Sequence, residues 1–480
     1  MKQHSIFYNF IMNAILTMSS FIFPLITFPY VSRILLPEGT GKVSFAASIV
    51  NYFLLLAQLG IPTYGIRTCA KIREDKDKLN KTIQEIFKIS FIMCIFSYTI
   101  FLILLYCVPR LWQEKELMLV TSTSILFTTI GVEWVFKALE MYSYITWRSV
   151  AFKCIALAAM FLLIHGQEDY IIYGAVSIFA SSASNILNFV YLHQLVDLKN
   201  HYKLELSNHI KPIFIFFAMT CATTVYLNMD TTMLGFMKTD MDVGYYNAAV
   251  KIKTILVSIV SSLGAVLLPR VTVYIENNDQ QKFRNISVKA MQFVLLVAIP
   301  MMVYFILFAK PCVLLLSGTE YENAILPMQL MMPTLLCIGL TNIMGMQIMV
   351  PLGREIKVLV SVVIGAVVDL LLNIVLISRY SVAGAAIGTM VAEIAVLIYQ
   401  YLSDNKLFYS LFCQLHIWKI VLSTIFASCV SSQFIKWEKN NITILIVSSI
   451  CFVAVYLGSL IFLRETSIME LANMMKKKRY

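Results

Sequence analysis

The sequence predicts an all-α polytopic membrane protein, and three observations carry that prediction. Hydrophobic residues make up 59% of the 480-residue chain and charged residues only 14%, where soluble domains average about 45–50% and about 25%. Fourteen stretches come close to the roughly 20 apolar residues that a helix needs to cross a bilayer. The basic residues, finally, fall mostly on one side of those stretches. A soluble chain of this length would make two or three domains, but so few charges cannot cover the surface such domains expose. A soluble enzyme, a disulfide scaffold and a nucleic-acid binder are excluded on the same ground.

In chain order the predicted spans are 9–32, 43–63, 84–108, 117–137, 148–165, 169–195, 212–236, 244–268, 287–309, 324–350, 357–378, 382–402, 416–435 and 442–463. Lys2 ahead of the first run gives it the look of a signal sequence. The run is too long for one and has no small-x-small cleavage site, so an uncleaved anchor is expected. Between spans 1 and 2, Gly39-Thr40-Gly41-Lys42 lacks the earlier glycine of a phosphate loop and follows no strand, and is expected to be a tight inter-helix turn. The longest connection, Thr63 to Thr82, is a charged cytoplasmic stretch suited to an interfacial helix, and the ninth span runs on towards Cys312–Ser317. Outer loops run from about three to fifteen residues, too short for the extramembrane domain that membrane polymerases and ligases carry.

The positive-inside rule tests this layout. With the N-terminus in the cytoplasm, 25 of the 38 basic residues lie inside, nine lie outside, and Lys153, Lys251, Lys253 and Lys419 lie within spans. The bias supports fourteen crossings with both ends cytoplasmic, and the net charge of +11 becomes a topology signal whose partner is anionic lipid. The ten cysteines form no C-x-x-C pair and are read as small buried hydrophobes.

An internal repeat sets the domain plan. Gly41-Lys42-Val43-Ser44-Phe45-Ala46 opens span 2 and Gly244-Tyr245-Tyr246-Asn247-Ala248-Ala249 opens span 8, each span closing on proline then arginine, Pro62 with Arg67 and Pro269 with Arg270. Spans six apart share an orientation, so the halves are parallel repeats, a transporter plan with the substrate between them. The expected division is an N-lobe over 1–210, a C-lobe over 211–410, and two further spans with a basic tail over 411–480.

Ionisable residues inside spans are costly and default to functional candidates. Asp230 and Lys251 lie about 10 Å below the outer boundary, each seven residues from the turn of the span 7–8 hairpin. They read either as an ion pair locking the hairpin or as a cationic site for an anionic headgroup that Asp230 gates. Lys253 points about 200° away from Lys251. Nearer the cytoplasm stand Glu133 and Lys137, paired at helical spacing, with Arg148 and Lys153 at the opening of span 5. Snorkelling is the plain alternative to a substrate role for Arg148. Asp369 and Glu393, near mid-membrane with Asn373 one turn from Asp369, could bind a proton or sodium ion or stay protonated against a neighbouring helix. Amides recur too: Asn51 with Gln58, Asn185 with Asn188, then Asn228, Asn342 and Gln347. Interhelical bonding suits most of them, though Asn51 would also suit a hydroxyl-rich ligand. No Walker A, H-E-x-x-H or G-x-S-x-G motif is present. No enzyme activity and no cofactor are therefore expected. Any driving force would come from an H+ or Na+ gradient, the membrane potential or the substrate gradient.

Three stretches carry a family resemblance. They are Phe28-Pro29-Tyr30-Val31-Ser32-Arg33-Ile34-Leu35 followed by Gly39 and Gly41; Asp230-x-x-Met233-Leu234-Gly235 through Val243–Lys251 to Leu268-Pro269; and Leu316-Ser317-Gly318-x-x-Tyr321-x-x-Ala324 with Gly353-Arg354, Asn373 and Gly384-Ala385-Ala386. In order and spacing they resemble the polysaccharide-transport family of flippases, the Wzx-type O-antigen and capsule repeat-unit translocases of the multidrug/oligosaccharidyl-lipid/polysaccharide exporter superfamily. The resemblance implies two rocking MATE-like six-helix lobes with two helices appended. It implies translocation of an undecaprenyl-diphosphate-linked oligosaccharide from the inner to the outer leaflet of a bacterial cytoplasmic membrane. It also points to a polysaccharide polymerase and a chain-length regulator as partners. Lys251 falls where the family often has a basic residue and Asp230 where it often has an acid. Arg33, Lys253, Lys153, Arg148 and Asn51 complete the expected substrate contacts, and Glu133, Asp369 and Glu393 join Asp230 as gating or coupling candidates. The alternative is the cation-coupled multidrug-exporter branch, whose pumps commonly carry an acid in the first helix; span 1 has none before Glu38.

Overall fold

A computed structural model gives the chain as α-helices, with no strand among the described residues. It describes residues 6–196, 202, 204–277, 279–437, 440–465 and 469. The expected basic tail beyond 470, together with Lys2, Lys199, Lys203 and Lys439, lies outside the described residues. The contacts group into two compact units, Met1–Gly244 and Tyr245–Tyr480.

The first unit holds α1 (Ile6–Gln58), α2 (Ile61–Lys71), α3 (Lys76–Cys107), α4 (Pro109–Gln113), α5 (Lys115–Gly131), α6 (Glu133–Ala138), α7 (Tyr142–Leu163), α8 (Tyr170–Ile178), α9 (Asn185–Leu195) and α10 (Ser207–Met237). The helix α11 (Asp240–Glu276) starts in this unit and continues into the second. The second unit adds α12 (Gln280–Leu307), α13 (Ala309–Ser317), α14 (Ile325–Met331), α15 (Thr334–Thr341), α16 (Glu355–Ser403), α17 (Asn405–Phe412), α18 (Ile417–Ser431) and α19 (Asn441–Phe462). Among the described residues ten helices are long and apolar enough to cross a membrane, or eleven if the pair bent by 46° over Thr319–Met349 is one span.

Two of these ten are themselves broken. Leu36 (φ 58°) interrupts α1 and Ser381 (φ 48°) interrupts α16. Leu36 precedes Pro37, and a residue before proline is driven out of the helical region by the ring. Proline itself suits the first turn of the next segment. The break is therefore sharper than expected: Gly39–Lys42 are not the turn but the start of the helix after it. The reason for the glycines lies elsewhere. A Cβ on Gly41 would stand 1.8 Å from the Asp240 carbonyl oxygen, and one on Gly244 would stand 2.0 Å from that of Pro37. The glycines that open the two repeats thus let the Pro37–Gly41 and Asp240–Gly244 turns press backbone to backbone.

A matching pair of helix caps follows one helix further on in each unit. Asp75 caps α3 by accepting from the Lys78 backbone N–H at 3.1 Å, and Asp279 caps α12 by accepting from that of Lys282 at 3.1 Å. Each lysine side chain also pairs with its aspartate, at 2.9 Å and 2.7 Å. Those bonds hold the Asp75 and Asp279 carboxyls below the usual carboxylate range. The same N-terminal capping chemistry recurs in each unit.

In the connection after span 2 the expected helix forms as α2. It buries Ile61, Tyr64, Gly65 and Cys69, and a Cβ on Gly65 would meet the Trp134 ring at 2.5 Å. Around it Leu79, Ile83, Ile86, Phe136 and Ile213 close an apolar core at one end of the bundle. The second unit's core gathers Met291, Phe308, Met344, Phe408 and Leu460. Large apolar side chains elsewhere are exposed, among them Phe10, Leu162, Leu371, Phe426 and Ile450. Unpartnered apolar surface of that kind on long helices is what lipid covers.

Candidate functional site

The polar side chains of the first unit gather into three places. Along the helix after Leu36, the Asn51 amide donates to Asn228 Oδ1 on α10 at 3.0 Å. One turn on, Thr232 donates to Ser48 Oγ at 3.0 Å and also reaches Tyr52 Oη at 3.4 Å. This seam ties α1 to α10 at the depth of Asp230, which is buried at 6% exposure. Helical geometry points Asp230 away from the face that carries Asn228 and Thr232.

Below it lies the Arg148 cluster. Arg148 does not snorkel: its side chain is 4% exposed, six residues inside α7, because that helix begins at Tyr142 rather than at 148. One guanidinium nitrogen donates to the Ser184 carbonyl at 3.0 Å, another lies 3.7 Å from Glu133 Oε2, and the group sits over the Tyr144 ring. Its buried Nε has no hydrogen-bond partner. Glu133 also pairs with Lys137 at 2.7 Å. The backbone is irregular on both sides, with Val132 at φ 37° splitting α5 from α6 and a π-helical turn over Phe179–Ala183 ahead of Ser184. Such irregularities recur at functional sites. Lys153 makes its hydrogen bonds elsewhere, donating to Ser19 and Ser20 on α1, both at 2.9 Å, and it is near enough to Glu133 to feel its charge. Arg33 is exposed and donates to the Pro29 carbonyl of its own helix.

The third place was not legible in the sequence. Tyr64 Oη lies 2.6 Å from His209 Nδ1, and His209 Nε2 lies 2.8 Å from Glu85 Oε2. The other Glu85 oxygen accepts from the Glu205 backbone N–H at 2.7 Å, and Lys81 approaches at 3.9 Å. All three side chains are buried. They join α2, α3 and α10 through partners more than 120 residues apart, a spacing no local motif encodes. Arg110 was missed for the same reason. It pairs with Asp240 and donates to the Gly235 carbonyl at 3.0 Å, fastening the α10–α11 turn. Lys42 likewise meets Glu114 at 3.1 Å, and Glu114 accepts from Tyr170 at 2.9 Å.

In the second unit Lys251 and Lys253 are half-buried on α11. Asp369 and Asn373 are fully buried on α16, and Glu393 is 8% exposed. A Cβ on Gly388 would stand 2.4 Å from Asn373 Oδ1 and 3.1 Å from Asp369 Oδ1, so this glycine makes room for both polar groups. Gly384 does the same for the backbone, its Cβ position being 2.2 Å from the Leu376 carbonyl. The Gly384-Ala385-Ala386 run is thus the small-residue packing that brings the two halves of α16 together. No cluster of three or more metal-ligating side chains occurs among the described residues.

Broken membrane-length helices with buried charges make the chain an all-α polytopic membrane protein, and known structures agree on the fold. The chain superposes on a structure titled "Lipid II flippase MurJ, inward closed conformation" with a TM-score of 0.73 at 17% identity, over 94% of this chain and 99% of that one. An inward-facing multidrug resistance MATE family transporter of the MOP superfamily gives 0.62 at 14% identity, over 83% and 98%. Among curated sequences, the Escherichia coli K12 protein named "Putative O-antigen transporter" is 23% identical over 406 residues, 83% of this chain and 97% of that one. Residues 6–275 match the family described as Polysaccharide biosynthesis protein, and the chain belongs to that family. It is a transporter rather than an enzyme.

Proposed function

We propose that the protein is a flippase for lipid-linked oligosaccharide. It takes undecaprenyl-diphosphate-linked repeat units of O-antigen, capsule or exopolysaccharide from the inner to the outer leaflet of the bacterial cytoplasmic membrane by alternating access. The observation that carries the reading is the Arg148 cluster, a guanidinium kept at membrane depth in a chain of the polysaccharide biosynthesis family. A diphosphate cannot enter hydrocarbon without neutralising charge. Lys251 is the proposed main headgroup contact, with Lys253, Arg33, Lys153, Arg148 and Asn51 contributing, and Asp230, Glu133, Asp369 and Glu393 gating or coupling to H+ or Na+. Counting α1 and α16 as two spans each at their breaks, and adding the bent pair and α5–α6, supports fourteen crossings and so both ends on one side; the positive-inside bias supports the cytoplasm as that side.

Lys251→Ala is expected to abolish surface polysaccharide while the protein still inserts in the membrane, read by immunoblot of both. Full surface display would sink the headgroup role. Exchanging the charges of Asp230 and Lys251 separates the two readings of that pair: restored transport would make it a structural ion pair. The MATE-like fold also fits a drug exporter. A deletion strain that keeps its polysaccharide but becomes dye-sensitive would favour that reading.

A further inference from the structure

The second unit carries an apolar groove of about 550 Å3 beside α17, walled by Leu340, Leu397, Tyr401, Leu402, Tyr409 and Phe412. Its size lies within the range of about 300–1,000 Å3 typical of ligand sites. The short helix α17 is amphipathic. It buries Phe408 and Leu411 completely on one face and leaves Tyr409 64% exposed on the other. Lys406, one turn before Tyr409, is exposed on that same face. The Tyr401 and Phe412 rings meet edge to face at 5.8 Å and fix the groove's wall.

Four basic residues from three parts of the chain converge on this segment. Arg284 donates to Ser410 Oγ at 2.7 Å, Lys357 donates to the Ser403 carbonyl at 2.7 Å, and Arg354 pairs with Asp404. Lys406 is the fourth. Asp404 is the acid bound among them, and Glu355 stands next to Arg354, so the patch keeps an excess of positive charge. The segment links two helices apolar enough to cross the membrane, Glu355–Ser403 and Ile417–Ile435. A reversal between two such helices lies at the membrane surface, where tyrosines and basic side chains meet lipid headgroups.

We propose that this groove is a binding site for an anionic diacyl phospholipid. One acyl chain lies along Leu340, Leu397 and Leu402, and the phosphate sits over Lys406 with Arg284 and Lys357 behind it. The charge excess selects an acidic headgroup over a zwitterionic one, and the aromatic wall fixes the glycerol level. In the orientation given under the proposed function this reversal faces the cytoplasmic leaflet; only that placement, and not the site itself, rests on that reading.

The test uses the full chain, delipidated in neutral detergent. Phosphatidylglycerol and phosphatidylcholine with the same acyl chains are added back separately and bound lipid is counted by native mass spectrometry. One phosphatidylglycerol is expected to stay bound at tenfold or more lower concentration than phosphatidylcholine. Lys406→Gln should weaken phosphatidylglycerol about fivefold, the worth of one basic residue near an anionic lipid, and leave phosphatidylcholine unchanged. Leu397→Trp, which fills the groove, should remove the bound lipid. Lys310→Gln, in an exposed ion pair with Glu322, should change nothing. Equal retention of the two lipids, or phosphatidylglycerol binding indifferent to both Lys406→Gln and Leu397→Trp, overturns the proposal. So does displacement by undecaprenyl phosphate at lower concentration, which would give the groove to a prenyl chain. Because no transport is measured, failure here leaves the flippase reading standing, and loss of surface polysaccharide remains that reading's own test.

Discussion

The two units handle charge differently. In the first, ionisable side chains stitch helices distant in sequence, Arg110 to Asp240, Lys42 to Glu114 and Glu85 to His209, and Arg148 ties the neighbouring α7 and α6 through Glu133. In the second, Lys282 with Asp279, Lys310 with Glu322 and Arg354 with Asp404 pair at helix ends, while neutral donors make long-range bonds, Tyr304 with Ser448, Tyr246 with Thr389 and Gln292 to Glu465. The missing side chain of Gly388 makes room for two of its deep polar groups, Asp369 and Asn373. A unit held by paired charges should fail when one partner is removed, because the other is left buried and uncompensated. A unit held by small-residue packing should fail when volume is added.

The largest effect is expected at the reciprocal glycines. Gly41→Val puts side-chain atoms where the Asp240 carbonyl lies, so the turn must move and the Arg110 fastening with it. The prediction is loss of folded protein in detergent, read by gel filtration and membrane abundance, and Gly244→Val should match it. Normal yield of both would mean that the close approach is dispensable. Next comes the buried Tyr64–His209–Glu85 set. Glu85→Ala or His209→Ala should cost about 3–5 kcal/mol if the pair is charged, as for other buried ion pairs that lose a partner. Thermal unfolding of the purified variants reads this, and a double variant much less damaged than the two singles combined would show the coupling directly. The smallest is Gly388→Ala in the second unit. One methyl must displace the Asn373 side chain, for about 1–3 kcal/mol, and Asn373→Ala in the same chain should recover part of it. No recovery would break the contrast between the units.

Much of the fold was legible because membrane helices declare themselves by length and apolarity alone. The two glycines singled out in the sequence have a structural use, since each is required where one turn's backbone presses on the other's. Helix ends were read less well. Span 5 starts six residues before the predicted boundary because the mixed stretch Tyr142–Trp147 already belongs to the helix, and that shift places Arg148 inside it. Least legible were the long-range polar contacts. Glu85 stands at the start of predicted span 3 and His209 in the connection before span 7; nothing local in the sequence announces that they meet. The cap pairs Asp75–Lys78 and Asp279–Lys282 could have been found, as both are D-x-x-K just ahead of an apolar run and about as far apart as the two glycines.

The central claim is that this chain moves a lipid-linked oligosaccharide across the bilayer. Purified protein reconstituted into vesicles with undecaprenyl-diphosphate-linked oligosaccharide in both leaflets provides the direct measurement, with outer-leaflet sugar removed by an added glycosidase. The account predicts that cleavage runs past the outer half towards completion with the native protein and stops at the half with Lys251→Ala. Cleavage that stops at the half with both proteins, in vesicles shown to contain folded protein, would contradict it.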